Sequence, residues 1–211
     1  AKQDGESTHL KRIVFDEGHH LFDAADSAFS AALSGQEAAE LRRWIRGPES
    51  RGRRGRGLEQ RLMDLVGGRE DAKATLLNAI RAAAALPGDG WSGRIAPPSG
   101  EVNPIGPIEA FLVSVMEQLR ARAEPSDMGQ ECAARPAIDL VRETAREAAR
   151  ALAEIEAPLL ALARHLEDIL DEDADELPPN ERGRIEGALR GLDRRARMTL
   201  PAWSSMLQAI D

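Results

Sequence analysis

Asp16, Glu17 and His19 have the residue types and the spacing of a site that hydrolyses a nucleotide. An aspartate in this position binds Mg²⁺, usually through water, because that ion keeps much of its hydration shell. The adjacent glutamate can orient and polarise the attacking water, and His19 can sense the terminal phosphate. We therefore predict that these three side chains are catalytic and that Asp16 is the magnesium ligand.

Two other interpretations of this segment stay open. Asp16, His19, His20 and Asp23 are spaced so that they can share one helix face, which is a possible zinc site. Zinc, however, normally takes three or four fixed ligands, and no further histidine lies nearby in the sequence. The same letters also occur by chance in a surface turn that leads into a helix.

A strand must position these residues if they act on a phosphate. Residues 10–16 are rich in β-branched and aromatic side chains and end in Asp-Glu-Gly, which predicts a short strand. Open α/β sheets bind ligands at the carboxyl edge of their strands, where this motif would lie. A single strand leaves its amides and carbonyls without partners, and no second strand is evident. We expect it to pair with another copy or to belong to the sheet of a larger protein.

The segment Ile13–His19 resembles motif II, the DExH form of the Walker B motif, of superfamily-two helicases. With the following His-Leu-Phe-Asp it is similar to the XPD/DinG-type DNA helicases, although Gly18 replaces the more usual alanine. Residues 103–112 resemble a stretch of the bacterial DinG-like proteins. That family inserts a mostly helical arch domain after motif II. The resemblance implies that residues 1–18 end a motor domain and that residues 19–211 form an arch-like insertion.

Several elements of a complete helicase are missing from the sequence. A P-loop needs Gly-Lys-Ser/Thr, and none of the lysines (Lys2, Lys11 and Lys73) follows a glycine. We therefore expect ATP and Mg²⁺ to be cofactors of an intact parent helicase, with none bound to this chain alone. The single cysteine, Cys132, excludes an iron–sulfur cluster held within the chain. The expected partners are single-stranded DNA and the remaining motor domains.

An arginine-rich stretch is the second candidate for chemistry. Such side chains give salt-dependent, sequence-independent contacts with DNA phosphates, which would help an arch to guide a separated strand. Trp44 is the only aromatic residue among them that could stack on a base. A flexible solvated loop is the alternative. The predicted DNA-binding residues are Arg42, Arg43, Arg46, Arg51, Arg53, Arg54 and Arg56.

The composition predicts an all-α protein. Ala, Leu, Arg and Glu dominate and aromatic residues make up only 3%, which argues against an all-β sandwich. Periodicity predicts a multi-helix bundle, and the resemblance implies that this bundle is arch-like. Its helices are expected at 20–33, with Gly35 as the C-terminal cap, at 36–46, 58–66 and 70–86, and in one helix marked by Ile108, Leu112, Val115 and Leu119.

The most regular pattern is a heptad seam that runs from Val141 to Ile169. Its apolar positions alternate in spacings of four and three, and Pro158 inside it should kink or divide the helix. The next helix repeats the spacing at Ile185, Leu189, Leu192 and Ala196, so we predict an antiparallel hairpin. The alternative function is a non-catalytic interaction module that associates through the seam. Self-association through the exposed strand is also possible.

The charge is unevenly distributed along the chain. The formal net charge is −8, and residues 166–181 alone carry eight acids and no base. This acidic stretch is expected to be a solvated helix end and linker that repels DNA. No signal-like start and no apolar run long enough for a bilayer is evident, so we expect no membrane partner and a cytoplasmic location.

Overall fold

The computed structural model describes residues 18–22, 24–25, 30–49, 55–97, 100–122 and 131–210. The chain divides into two units, Ala1–Ala31 and Ala32–Asp211. Across these described ranges every regular element is a helix and none is a strand, which confirms the all-α prediction. The strand predicted at 10–16 lies outside them. None of the described helices has both the length and the apolarity needed to cross a membrane.

The first unit contributes one short helical segment. Gly18–His20 form a 3₁₀ turn, and four of the next five residues, those at 21, 22, 24 and 25, are helical. Residues 30–34 are not helical, so the prediction of a helix up to residue 33 is wrong. Gly35 does not cap that helix but begins the next one, because the Ser34 hydroxyl accepts a hydrogen bond from Glu37 N at 3.1 Å. Serine is a favoured N-cap residue, and it sets the helix start here.

The second unit is a helical bundle around one long helix, α6. Its neighbours α3, α5, α7 and α8 all pack against α6. A π-helical segment, Asp193–Thr199, joins α7 to α8, and the 3₁₀ turn Ala83–Ala85 follows α3. The α-helices are α1 Gly35–Arg46, α2 Leu58–Val66, α3 Glu70–Ala82, α4 Trp91–Ile95, α5 Pro107–Arg122, α6 Asp139–Glu172, α7 Pro179–Leu192 and α8 Leu200–Gln208.

The predicted heptad seam forms the inner face of α6. Every seam position from Val141 to Ile169 is buried, so the chain's own helices cover it. The helix continues through Pro158 and is not divided there. Because α7 returns along α6 after the turn at 173–178, the predicted hairpin is present. The helix α6 therefore supplies more of the buried apolar core than any other single helix.

The helix α5 is correctly predicted, and Ile108 is buried as expected, but part of its buried face is not predicted. Val115 was expected in the core and is 39% exposed, whereas Ser114 and Gln118 are buried. The Ser114 hydroxyl lies 2.7 Å from Thr144 Oγ1 on α6. The Gln118 amide donates to the carbonyl of Ala133 and accepts from the backbone N–H that begins α6. These hydrogen bonds offset the cost of burying the polar side chains of Ser114 and Gln118. A pattern of apolar residues in the sequence cannot reveal them.

The irregular turn between α7 and α8 has a local cause. Pro201 lacks an N–H, and its ring collides with the carbonyl four residues earlier when the helix is regular. The wider π-helical turns end at Thr199, just before this proline, and relieve that collision. The Thr199 hydroxyl donates to the carbonyl of Arg194 at 3.1 Å and satisfies an acceptor there. The result is one continuous helical arm from α7 to α8.

A buried ion pair fastens the Gly/Pro-rich connection that precedes α5. Glu109 is fully buried and accepts two hydrogen bonds from Arg94, at 2.9 and 2.5 Å. The same carboxylate accepts the backbone N–H of Ile105 at 2.8 Å, and Arg94 also donates to the carbonyl of Asp89. The hydrogen bond to Glu109 raises the pKa of Arg94. Every charge in this pair is therefore matched inside the chain.

Candidate nucleic-acid interface

The predicted catalytic residues fall largely outside the described part of the chain. Asp16 and Glu17 lie there, and so does Asp23 of the alternative zinc set. His19 is in the exposed 3₁₀ turn, and its ring centroid lies 3.9 Å from that of His20. In the described ranges no group of three or more His, Cys, Asp or Glu side chains is placed to hold a metal ion. The catalytic assignment stays a prediction.

Two arginines of α1 hold the bundle together. Arg42 Nε and Nη2 donate to Glu49 at 2.8 and 2.6 Å, and its Nη1 donates to the carbonyls of Ala84 and Leu86. Arg46 donates to the carbonyl of Ile80 at 3.1 Å. The carbonyls at the end of α3 lack helical partners, and a guanidinium satisfies them while complementing the helix dipole. The donors of Arg42 in particular are therefore committed within the chain.

Arg43 lies at the edge of a polar cleft of about 330 Å³. Its guanidinium is 3.9 Å from Glu40, and the Arg43 side chain is 41% exposed. Arg42, Glu49 and Trp91 also line the cleft. The paired carboxylate of Glu49 keeps this cleft from presenting an uncompensated positive surface. Among the three predicted arginines of α1, Arg43 is the one with the most weakly held guanidinium.

The chain forms a narrow neck where the arginine-rich stretch begins and ends. A Cβ on Gly57 would lie 2.5 Å from the backbone nitrogen of Gly47, so both positions require glycine. Gly47 also has a φ of 86°, which an L side chain rarely adopts. Arg51, Arg53 and Arg54 are within the stretch that this neck closes and lie outside the described residues. Arg56, next to the neck, is exposed.

An arginine-lined groove of about 500 Å³ lies beside Arg56, between α2 and α7. Arg61 and Arg184 line it together with Arg56, and the remaining lining residues are Gly183 and Gly187. A Cβ at Gly183 would meet no atom within 4 Å, so this part of the α7 face is open. The absence of side chains there allows a ligand to approach the helix backbone closely. We call this feature the arginine groove.

One arginine of the groove is partly neutralised. Arg184 donates to both carboxylate oxygens of Asp64 at 2.7 Å and to the carbonyl of Arg61 at 2.5 Å. The Arg184 hydrogen bond lowers the pKa of Asp64 below its usual value. The same hydrogen bond raises the pKa of Arg184. Since Asp64 is largely exposed, this bidentate pair mainly fixes the direction of the Arg184 guanidinium.

Trp44 supports two arginine side chains, Arg61 of the groove and Arg195 beside it. The guanidinium carbon of Arg195 lies 4.2 Å from the Trp44 ring centroid, and that of Arg61 lies 5.8 Å from it. A Cβ on Gly191 would be 2.6 Å from Trp44 Cζ2, so glycine is needed for the indole to pack there. With cations and the α7 backbone against it, the indole acts as a cation–π support. It is not an open platform for a base.

Among the described residues, no acid forms an ion pair with the arginines around Trp44. Desolvation by burial, together with the charges of Arg194 and Arg61, lowers the pKa of Arg195. In the described part of the chain Arg56, Arg61 and Arg195 form no ion pair. An anion bound here would relieve this repulsion between like charges. The arrangement suits a phosphate, because arginine presents a planar set of donors to it.

Only part of this surface is foreseen by the sequence. Arg56 was predicted, whereas Arg61, Arg184 and Arg195 were not assigned to it. One sequence signal was available, because glycine occurs at every fourth residue of α7, at Gly183, Gly187 and Gly191. This spacing indicates a helix face without side chains, which either stays open or packs closely against a neighbouring group. Comparison of the chain with models of protein families, with curated proteins and with solved structures gave no match.

Proposed function

We propose that this helical chain binds the phosphate backbone of single-stranded nucleic acid in the arginine groove. The observation that carries the proposal is the groove itself, which three arginines and two glycines line without any acidic side chain. A positive groove beside a bare helix backbone admits a phosphodiester chain, since charge attracts it and no side chain blocks it.

The contacts in the arginine groove favour nucleic-acid binding that does not depend on base sequence. Guanidinium groups recognise phosphates, which carry no sequence information. Trp44 is covered by Arg195 and packed against Gly191, so it offers little surface for base stacking. The predicted arginines at 51, 53 and 54 are adjacent in sequence to Arg56 and would extend the positive track.

The wider context that we propose is the arch-like region of an XPD/DinG-type DNA helicase. The resemblance of Asp16-Glu17-Gly18-His19 to motif II supports it, as does the helical bundle that follows. In a longer protein carrying this chain, Asp16 would hold Mg²⁺ and Glu17 would activate water, while the bundle would help to enclose the strand. The interaction-module alternative rests on the seam of α6, whose side chains fill this chain's own core.

Titration of a fluorescent thymidine oligonucleotide, followed by anisotropy at two salt concentrations, tests the groove. We expect binding at low salt that weakens steeply as salt rises, because counterions are released on binding. The double variant Arg56→Ala/Arg61→Ala should bind about tenfold more weakly. The slope of log K against log salt should fall by about 0.7 for each lost phosphate contact.

A matched control separates lost contacts from lost structure. Arg120→Ala removes an exposed arginine from α5 and should leave binding unchanged. Arg61→Lys keeps the charge and should retain most of the affinity, and thermal melts report whether the Trp44 packing survives. No binding by the wild-type chain at low salt, or equal losses in Arg120→Ala and the groove variant, would refute the proposal.

The helicase context is tested on the longer protein. We expect DNA-stimulated ATP hydrolysis there, its loss in Asp16→Asn and in Glu17→Gln, and no hydrolysis by the 211-residue chain. Hydrolysis that survives both substitutions would contradict the motif II assignment. That result would leave the oligonucleotide experiment unaffected, so the two levels of the proposal are tested separately.

A further inference from the structure

The glycine face of α7 is open at one end of the arginine groove and closed at the other. Gly183, Gly187 and Gly191 recur at every fourth residue and so lie along one side of the helix. A Cβ at Gly183 would meet no atom from elsewhere in the described chain within 4 Å, and a Cβ at Gly187 would meet Arg190 Nη2 at 3.8 Å. At Gly191 a Cβ would lie 2.6 Å from Trp44 Cζ2. The indole therefore closes this face one helical turn beyond Gly187.

Trp44 is held in place at this closed end. Its ring packs against the backbone of α7 and lies under the guanidinium of Arg195, which is 4.2 Å from the ring centroid. Arg61, which lines the groove, approaches the same ring at 5.8 Å. Displacing the indole would break both cation–π contacts. A strand that follows the α7 face from Gly183 therefore ends at Trp44 and has no path past Gly191.

The closed end carries positive charge without an acidic partner. No acid lines the groove, and in the described chain only Asp64 forms an ion pair with one of its arginines. That arginine is Arg184, and Glu181 adds a weaker attraction to the same guanidinium. Arg61 and Arg195, which adjoin Trp44, form no ion pair among the described residues. The repulsion between them favours an anion with more than one charge at this end.

Terminal and internal phosphates differ in the charge that they bring to such a site. A phosphodiester inside a strand carries one negative charge, whereas a terminal phosphomonoester carries about −1.5 to −2 at pH 7 and presents three strong acceptor oxygens. Several guanidinium groups can donate to these oxygens at once, since arginine presents a planar set of donors. The closed end of the groove therefore suits the terminal group in both shape and charge.

We infer that the arginine groove receives the end of a nucleic-acid strand and binds its terminal phosphomonoester beside Trp44. This inference rests on the proposed function, because it assigns one particular part of the strand to the same groove. Arg61 is the specificity-determining residue, since it lines the groove and also contacts the indole at the closed end. Arg195 supplements its charge from beside the ring. The 5′ and 3′ phosphomonoesters share this chemistry, and the experiment distinguishes them.

Competition at low salt tests the inference with the full 211-residue chain and a thymidine oligonucleotide that is labelled on an internal base and phosphorylated at both ends. The unlabelled competitors are linear strands with a 5′-phosphate, a 3′-phosphate or only hydroxyl ends, and a circular strand of equal length. One of the two phosphorylated strands should compete about tenfold better than the hydroxyl-ended strand, and the circle no better than the latter. A hydroxyl-ended strand that is one nucleotide longer controls for charge, because it has the same number of phosphate groups.

Variants of the groove locate the discrimination. Arg61→Gln removes the charge next to Trp44 and should reduce the preference for the phosphorylated strand to about twofold or less. Arg61→Lys keeps that charge and should retain most of the preference, and the control Arg120→Ala on the exposed surface of α5 should retain all of it. Gly183→Leu fills the open end with a residue that favours helices, so it should stay folded and bind every strand more weakly. Thermal melts check the fold of each variant.

Equal competition by the phosphorylated, hydroxyl-ended and circular strands would overturn the inference and leave the proposed function intact, because the groove would then take internal phosphates. A preference that folded Arg61→Gln retains in full would also overturn it. So would inorganic phosphate that competes as strongly as the phosphorylated strand, since the ligand would then be the free ion. If no strand binds the wild-type chain at low salt, or if folded Gly183→Leu binds as wild type, the inference and the proposed function both fail.

Discussion

Two sets of arginines in this molecule have the same chemistry and opposite surroundings. Arg42 and Arg94 each donate to a carboxylate and to backbone carbonyls, so their hydrogen-bonding capacity is used inside the chain. Arg56 and Arg61 line a groove and form no ion pair in the described residues, and Arg195 beside them donates only to the carbonyl of Gly191. The two sets differ in whether hydrogen-bond acceptors of the chain lie next to the guanidinium. The amino-acid composition cannot distinguish them, because both consist of arginine.

This difference indicates where stability and binding reside. An arginine whose donors are all satisfied within the chain stabilises the fold, and removing its acceptor leaves an unpaired charge. An arginine without acceptors contributes little to the fold and retains its donors for a ligand. Substitutions in the first set should therefore change the free energy of unfolding, while substitutions in the second should change affinity.

The largest effect is expected from Glu109→Gln. This change leaves the Arg94 guanidinium without its charged partner in a buried site, and we expect a loss of about 3 kcal/mol in the free energy of unfolding. Urea denaturation measures it. The control Glu101→Gln lies on the exposed part of the same connection and should change stability by less than about 0.5 kcal/mol. A loss below about 1 kcal/mol at Glu109 would place Arg94 in the weakly held set.

A second prediction sets Arg42→Met against Arg56→Ala. Arg42→Met removes the donors that satisfy Glu49 and two carbonyls, so it should destabilise the fold by about 2 kcal/mol. Its affinity for the oligonucleotide should be unchanged while the protein is folded. Arg56→Ala should show the reverse, with lower affinity and an unchanged melting temperature. If Arg42→Met weakens binding without destabilising the fold, the division between the two sets is wrong.

The smallest effect is expected at Asp64, whose partner Arg184 is intermediate between the sets. Because Asp64 has a lowered pKa, its contribution is complete above the ordinary value of 3.8 and is lost as the pH falls through its folded pKa. For so exposed a pair this is a few tenths of a kcal/mol. Asp64→Asn should remove that acid dependence in thermal melts between pH 5 and about 2.

At neutral pH, Asp64→Asn also tests which of the two sets of arginines Arg184 belongs to. Losing Asp64 frees Arg184 within the groove, so the affinity for the oligonucleotide should rise about twofold. Glu117→Gln removes an acid of the same charge from α5 and should leave both the pH profile and the affinity unchanged. A fall in affinity on Asp64→Asn would show that the pair is needed to aim Arg184.

Local sequence patterns predicted the helices better than the candidate interface. The seam of α6 follows from spacing alone, because that spacing places Leu152, Leu159 and Leu166 on the same face of a helix. The buried face of α5 was missed because Ser114 and Gln118 depend on hydrogen bonds to other elements. The arginine groove joins residues about 120 positions apart, as in the contact of Arg184 with Asp64. Tertiary packing of α2 beside α7 creates it, and no local pattern encodes that packing.

Because Gly47 and Gly57 adjoin at the neck, the arginine-rich stretch between them can change in length and sequence without changing the bundle. The chain enters and leaves it at adjoining backbone positions, and α1 and α2 are anchored on either side by their own buried faces. Residues can therefore be inserted into or deleted from the stretch without altering the register of the core. The reach of its positive charge can vary independently of the fold, through changes in the length and composition of this single segment.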